Sequence, residues 1–185
     1  MIEKEKMLRG ELFNSSSDKD LVEDRARAKD LCFELNNTKP SDLEKRKSIL
    51  KKLFHKTGEN FHIESNFWCD YGYRIEIGEN FYANHNVVML DAGEISFGDN
   101  VLVAPQCGFH TSGHPIDAQT RNAAIEYARP IKVGNDVWIG AGVHVCPGVT
   151  IGNNVVIGAG SVVVRDIPDN SIAVGDPCKV IKKID

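Results

Sequence analysis

The sequence contains no apolar run of about 18 residues, so no segment is long and apolar enough to cross a bilayer as a helix. It opens on a charged stretch, Met1 to Lys6, with no apolar segment of signal length behind it, which predicts a chain without a secretory leader. Charge of one sign is also scarce. With 22 basic and 26 acidic side chains the formal net charge is -4, too weak an imbalance for broad binding to nucleic acid or to an acidic membrane. Paired cysteines are missing. Cys32, Cys69, Cys107, Cys146 and Cys178 are isolated, odd in number and without CxxC spacing. They predict free thiols in a reducing cytoplasm rather than disulfides or a structural zinc site. What is present is apolar content of 42% over 185 residues, enough for a folded chain with one core.

Two textures divide the chain. Residues 1–58 carry helical spacing. Glu3 to Arg9 reads as a short charged helix ending near Gly10. Asp18 follows Ser15, Ser16 and Ser17 and is placed to cap a second helix over Lys19 to Asn37, where Leu21, Ala28, Leu31, Cys32 and Leu35 mark one face. Pro40 and Ser41 restart the pattern. Leu43, Ile49, Leu50, Leu53 and Phe54 then line a third helix, which the spacing carries to Gly58.

From residue 59 that periodicity vanishes. Val133, Ile139, Val145, Ile151, Ile157 and Val163 recur at every sixth position, and Val137, Val143, Val149, Val155 and Ser161 form a parallel series. A period of six fits neither a helix nor ordinary strand alternation. It fits a coil with three flat faces, in which one aliphatic side chain per face points into a narrow prism and glycines turn the corners. Asn or Asp follows the glycine at Gly98-Asp99, Gly134-Asn135 and Gly152-Asn153, as corners require. Such coils stack by parallel hydrogen bonding, so the expected class is a β-solenoid over residues 59–185. Trp138, Val143 and Val149 are expected to add apolar character outside the prism, and exposed apolar strips invite association.

One polar excursion, at about residues 110–130, interrupts the repeat between Phe109 and Ile131. A loop of that length on a rigid scaffold is often functional. It carries His114, between Gly113 and Pro115, and imidazole can accept a hydroxyl proton near neutral pH. Taken alone, a histidine in a loop is more often surface decoration than a base. The chain closes on a last coil and a short basic tail.

Several ordered pieces resemble the maltose and galactoside O-acetyltransferases, members of the hexapeptide acyltransferases, over nearly the whole chain. They are Lys6-Met7-Leu8-Arg9-Gly10-Glu11-Leu12-Phe13, Cys69-Asp70-Tyr71-Gly72-Tyr73, Phe81-Tyr82-Ala83-Asn84, Gly113-His114-Pro115-Ile116-Asp117, Asn135-Asp136-Val137-Trp138-Ile139-Gly140, Pro147-Gly148-Val149-Thr150-Ile151-Gly152 and Gly175-Asp176-Pro177-Cys178-Lys179. The resemblance implies a left-handed parallel β-helix with an N-terminal helical segment. It implies direct acetyl transfer from acetyl-CoA, as co-substrate, to a sugar hydroxyl, with His114 as general base. Glu126 is the candidate to orient the other ring nitrogen, and a backbone N–H near Ala141 is expected to face the oxyanion.

On the acceptor side the resemblance points to Asn84, Tyr82, Asp70, Arg25 and Asp91. Part of the family carries an aspartate shortly after the Leu-Phe pair. Here that zone runs from Asn14 to Asp18, and Asp18 is the candidate carboxylate. On the donor side it places Trp138 beside the pantetheine arm, with Ala141, Gly142 and Gly160 leaving room for it. Arg165, Lys179, Lys182 and Lys183 supply cations for the CoA phosphates. It also implies a homotrimer with active sites between neighbouring prisms, and no metal. Two rival functions stay open. His85, His110 and His114 would suit a zinc lyase similar to the γ-class carbonic anhydrases, and the solenoid could serve only for binding. Within the transferase reading, an antibiotic or another non-sugar hydroxyl is the alternative acceptor.

Overall fold

The structure, a computed structural model, describes residues 2–185. Helix α1 (Glu3–Leu8) leads into α2 (Lys19–Asn37) and α3 (Leu43–Leu53). Asp18 caps α2 by accepting from the Asp20 and Leu21 N–H groups at 3.0 and 3.3 Å, and Asp42 caps α3 by accepting from the Lys45 N–H. Leu21, Ala28, Cys32 and Leu35 are the buried residues of α2, as their spacing predicts. Helix α3 stops at Leu53, short of Gly58. Beyond it Lys56 bridges to Glu76 and the Gly58 N–H donates to Ile77 O, so the backbone is already pairing with the first coil.

The helices and the coils share one core. Ala28, Cys32, Leu35, Ile49, Leu50 and Leu53 belong to the same buried cluster as Val103, Ile139 and Val163. Arg46, 3% exposed, ties the junction. Its guanidinium donates to the carbonyls of Leu35, Thr38 and Ile63 and to Ser65 Oγ, which satisfies a charge otherwise costly to bury.

Residues 59–185 form a left-handed parallel β-helix with three faces. One face has seven strands: Phe61–Ile63, Phe81–Ala83, Leu102–Val103, Val137–Ile139, Val155–Ile157, Ser171–Val174 and Lys179–Lys183. The first six run parallel, and the last folds back antiparallel. A four-stranded face contains Ile131–Val133, and a five-stranded face contains Gly108–His110 and His144–Val145. Both hexad series point inward. Val133, Ile139, Val145, Ile151, Ile157 and Val163 are at most 4% exposed, and so are Val137, Val143, Val149, Val155 and Ser161. This corrects two expectations. The prism takes two side chains per face rather than one, because residues two apart in a strand share a side. Val143 and Val149 are therefore inside. Trp138, between Val137 and Ile139, is outside and 55% exposed.

The corners are held by side-chain ladders. Asn60, Asn80 and Asn100 pass hydrogen bonds from Nδ2 to the next Oδ1 at 2.6 and 2.8 Å, and Asn100 donates to Asp136 at 2.9 Å. Asn80, Asn100, Asp136, Asn154 and Asn170 all have φ between 53° and 58°, a left-handed conformation that Asn and Asp tolerate. Equivalent corners lie 18 residues apart where the coil is regular, as from Asn135 to Asn153, and 36 apart across the excursion, from Asn100 to Asp136. The excursion has order of its own. Ser112–Gly113 pairs antiparallel with Tyr127–Ala128, and between them helix α4 (Ala118–Asn122) starts at Asp117, which accepts from the Thr120 N–H.

Candidate active site

His114 leaves the hairpin immediately after Gly113 and is exposed. Gly113 is required there. A Cβ at this position would overlap the ring of Tyr127, which pairs with it across the hairpin. The Nδ1 of His114 lies 3.1 Å from the Ile125 carbonyl. A carbonyl can only accept, so this bond selects the tautomer with the proton on Nδ1 and leaves Nε2 with a free lone pair. The group that orients the ring is thus the Ile125 carbonyl and not the Glu126 carboxylate. Glu126 is bonded instead to Ser15 Oγ at 2.5 Å.

A polar network runs from there to the acceptor-side candidates. Arg25 donates from Nη2 to the Ser15 carbonyl at 2.9 Å and from Nη1 to Tyr71 OH at 2.8 Å. Burial pushes the Tyr71 hydroxyl up to about 12, against the opposing charge of Arg25. Asp70, next along the chain, is half-buried. Burial raises its carboxyl, Arg25 lowers it and Glu126 raises it. Arg25, Asp70 and Glu126 therefore act on one another in this network, and His114 is linked to it through the Ile125 carbonyl, next in the chain to Glu126.

Two acceptor-side expectations are corrected. Asp91 is 0% exposed, and its carboxylate accepts from the N–H groups of Asp70, Tyr71 and Arg74 at 3.0, 2.8 and 3.3 Å. It shapes the loop that carries Asp70 rather than meeting a ligand. Asp18 holds the Lys4 N–H as well as the start of α2, and that backbone bond from Lys4 is the first cause lowering its carboxyl. Its oxygens are engaged in capping.

Other candidates lie on the seven-stranded face. Tyr82, Leu102, Trp138, Val156, Ile172 and Lys182 follow one another in register, the first five between buried neighbours and Lys182 on a strand exposed along its length. Tyr82 stacks on His62 at 5.8 Å between centroids. Asn84, just beyond, accepts from the His85 N–H through Oδ1. A single chain does not bring this row to His114, which leaves by way of the five-stranded face.

The donor-side residues fall into two groups. Gly142 donates its N–H to Pro105 O at 2.9 Å, whereas the N–H of Ala141 makes no hydrogen bond among the described residues. At Gly160, φ is +71° and nothing lies within 4 Å of where a Cβ would stand, so this corner is bare. Arg165 and Lys179 line one shallow cavity of about 250 Å³ with Val164, Pro177 and Cys178. Cations beside an apolar wall suit a phosphorylated ligand, and the bare corner at Gly160 would not obstruct an extended arm. Lys183 is turned away, bonding Asp169 O and Ser171 Oγ. Of the three histidines of the lyase reading, His85 is exposed, His114 faces Ile125 O, and His110 stacks on His144 with Nε2 3.1 Å from its Nδ1.

Sequence reasoning missed Ile125, because a backbone carbonyl leaves no mark in residue type. It missed Ser15 and Tyr71 as partners of Arg25 and Glu126. Ser15 lay in the stretch where the family pattern departs, which was its one signal.

Residues 6–58 match the maltose acetyltransferase hexapeptide capping motif, and residues 130–165 match the bacterial transferase hexapeptide (six repeats). The chain is 53% identical to a maltose O-acetyltransferase from Clostridium difficile 630, with a TM-score of 0.98 over 100% of this chain and 98% of the other. It is 45% identical to a galactoside acetyltransferase solved in complex with coenzyme A, with a TM-score of 0.96 over 100% and 92% of the two chains. A putative acetyltransferase of Staphylococcus aureus (strain MRSA252) is 52% identical over 100% of this chain and 93% of its own.

Proposed function

Because the chain belongs to the maltose and galactoside O-acetyltransferase family of hexapeptide-repeat transferases, we propose that it carries an acetyl group from acetyl-CoA to a sugar hydroxyl with His114 as general base. The chain is an acetyl-CoA-dependent O-acetyltransferase, and acetyl-CoA is its co-substrate. The observation that carries the histidine's role is its bond to Ile125 O, which leaves an exposed Nε2 able to take a proton.

The sugar oxygen attacks the thioester carbonyl as its proton passes to Nε2. The negative charge then gathers on the carbonyl oxygen, where the unengaged N–H of Ala141 is suited to receive it. When the C–S bond breaks, the proton returns from His114 to the departing sulfur, giving an acetyl ester and the free CoA thiol. Arg165, Lys179 and Lys182 hold the phosphates, and Trp138 walls the arm past Ala141, Gly142 and Gly160. Arg25, Asp70, Tyr82 and Asn84 hold the acceptor. The amide Nδ2 of Asn84 donates to no other described residue and is suited to a sugar hydroxyl.

The enzyme on this reading is a cytoplasmic homotrimer. The outward row of Tyr82, Leu102 and Trp138 meets the His114 loop of a neighbouring copy. The half-exposed apolar surface of Leu102 and Trp138 supports that pairing.

The test is an acceptor screen with acetyl-CoA and a thiol-release readout, covering glucose, maltose, galactosides, amino sugars and hydroxylated antibiotics. At least one sugar is expected to turn over. His114→Ala is expected to lower kcat by about 10²–10⁴-fold with the fold retained. If every sugar is inert and a hydroxylated antibiotic is acetylated, the sugar assignment is wrong. If His114→Ala keeps native turnover, the base is another group.

A further inference from the structure

The segment after α1 meets the His114 excursion at adjacent points. Phe13 and Glu126 exchange both backbone hydrogen bonds, at 3.0 Å from the Phe13 N–H and 2.8 Å from the Glu126 N–H. Asn14 Nδ2 donates to Ala123 O at 3.1 Å. Ser15, 8% exposed, donates from Oγ to Glu126 Oε1 at 2.5 Å. Ile125 lies between these anchors, and its carbonyl holds Nδ1 of His114.

The rest of the excursion offers little to fix that carbonyl. From Ile116 to Ala124 every residue except Thr120 is exposed, and Ile116 is 96% exposed. One side is pinned by the hairpin pairing of Gly113 with Tyr127. The other side is pinned from the N-terminal segment. A neutral imidazole has two tautomers, and the hydrogen bond at one nitrogen decides which is populated. If the carbonyl drifts, the proton is no longer held on Nδ1, and the ring loses both its tautomer and its orientation.

We propose that Ser15 is a positioning residue for His114, acting through Glu126 and the Ile125 carbonyl to keep Nε2 available. The network continues outward, since Arg25 on α2 donates to the Ser15 carbonyl. An acceptor that engages Arg25 is thereby coupled to the base without touching it. This inference rests on the reading of His114 as general base, and the experiment separates the two.

Ser15→Ala, Ser15→Thr, Glu126→Ala, the Ser15→Ala/Glu126→Ala double variant and His114→Ala are assayed together on whichever acceptor turns over. Ser15→Ala is expected to lower kcat by about ten- to a hundredfold, as for small misplacements of a reacting group. KM for acetyl-CoA is expected to stay within about twofold, and Ser15→Thr restores kcat. The double variant is expected to be no slower than the slower single variant, because both break one bond. Nitrogen-15 spectra of the histidines should show His114 losing its Nδ1-protonated form in Ser15→Ala. If Ser15→Ala does not fold, Glu126→Ala breaks the same bond from the other side. Native kcat in Ser15→Ala, or losses that multiply in the double variant, overturn the positioning role while an inactive His114→Ala leaves the base in place. Native turnover in His114→Ala removes both.

Discussion

Asp91 shows how one residue can set a site without meeting its ligand. It is fully buried, and three backbone N–H groups converge on it. Those bonds favour the charged form, but burial outweighs them and lifts the carboxyl from 3.8 to about 6. The folded protein therefore holds this proton more tightly than the unfolded chain does. The stabilisation from that proton is complete below 3.8 and is lost as pH rises through about 6, on the order of 3 kcal/mol for a shift of about two units. The stability margin of the native protein over Asp91→Asn, measured by urea unfolding, is expected to be larger at pH 4 than at pH 7 by that order. Equal margins at the two pH values would show that the carboxyl is not perturbed. At this scale the sequence was a good guide to which side chains matter and a poor guide to what each one touches. Asp91 and Asp18 were named as acceptor-side carboxylates, yet their oxygens are engaged by backbone N–H groups that no residue type announces.

Among elements, the corner ladder has one weak rung. Asn100 passes its hydrogen bond to Asp136, and Asn154 passes one on to Asn170 at 2.8 Å. Between them Asp136 has no N–H to donate to Asn154, the next corner in the stack. Asp136→Asn would supply it and keep the oxygen that Asn100 uses. The variant is expected to gain about 0.5–1.5 kcal/mol, seen as a rise of a few degrees in Tm by calorimetry. A lower Tm would mean that the carboxylate has another task at this corner. The solenoid itself was legible because its rule is short: valine or isoleucine every sixth residue, followed in most coils by glycine. The number of inward side chains was not, because a period of six does not reveal that two positions per strand share a side. The end of α3 was misplaced for a related reason. Phe54 continues the apolar pattern, but its burial comes from the coil that follows and not from another helical turn.

The whole molecule raises the question of which chain completes which site. The row of Tyr82 and Trp138 and the His114 loop lie on different faces of one prism. If neighbouring copies complete each other, two inactive variants can rescue one another. An equal mixture of His114→Ala and Asn84→Ala chains, unfolded and refolded together, is expected to recover about a quarter of native activity, since that share of sites in a cyclic assembly draws both intact residues. A mixture as inactive as its parts would place both residues in one chain's site.

The two ends of the prism differ from its middle. A stack of parallel strands leaves open hydrogen-bonding rims at top and bottom, and such rims invite endless growth. Here α2 and α3 close one end with the same core that fills the coils. At the other, Lys179–Lys183 reverses direction and is exposed along its length, with lysines at 179, 182 and 183. A second molecule arriving there meets a strand of the wrong polarity carrying positive charge. Helices at one end and a reversed, lysine-bearing strand at the edge of the seven-stranded face at the other give the prism two unlike ends, a pairing that disfavours stacking one copy onto the next.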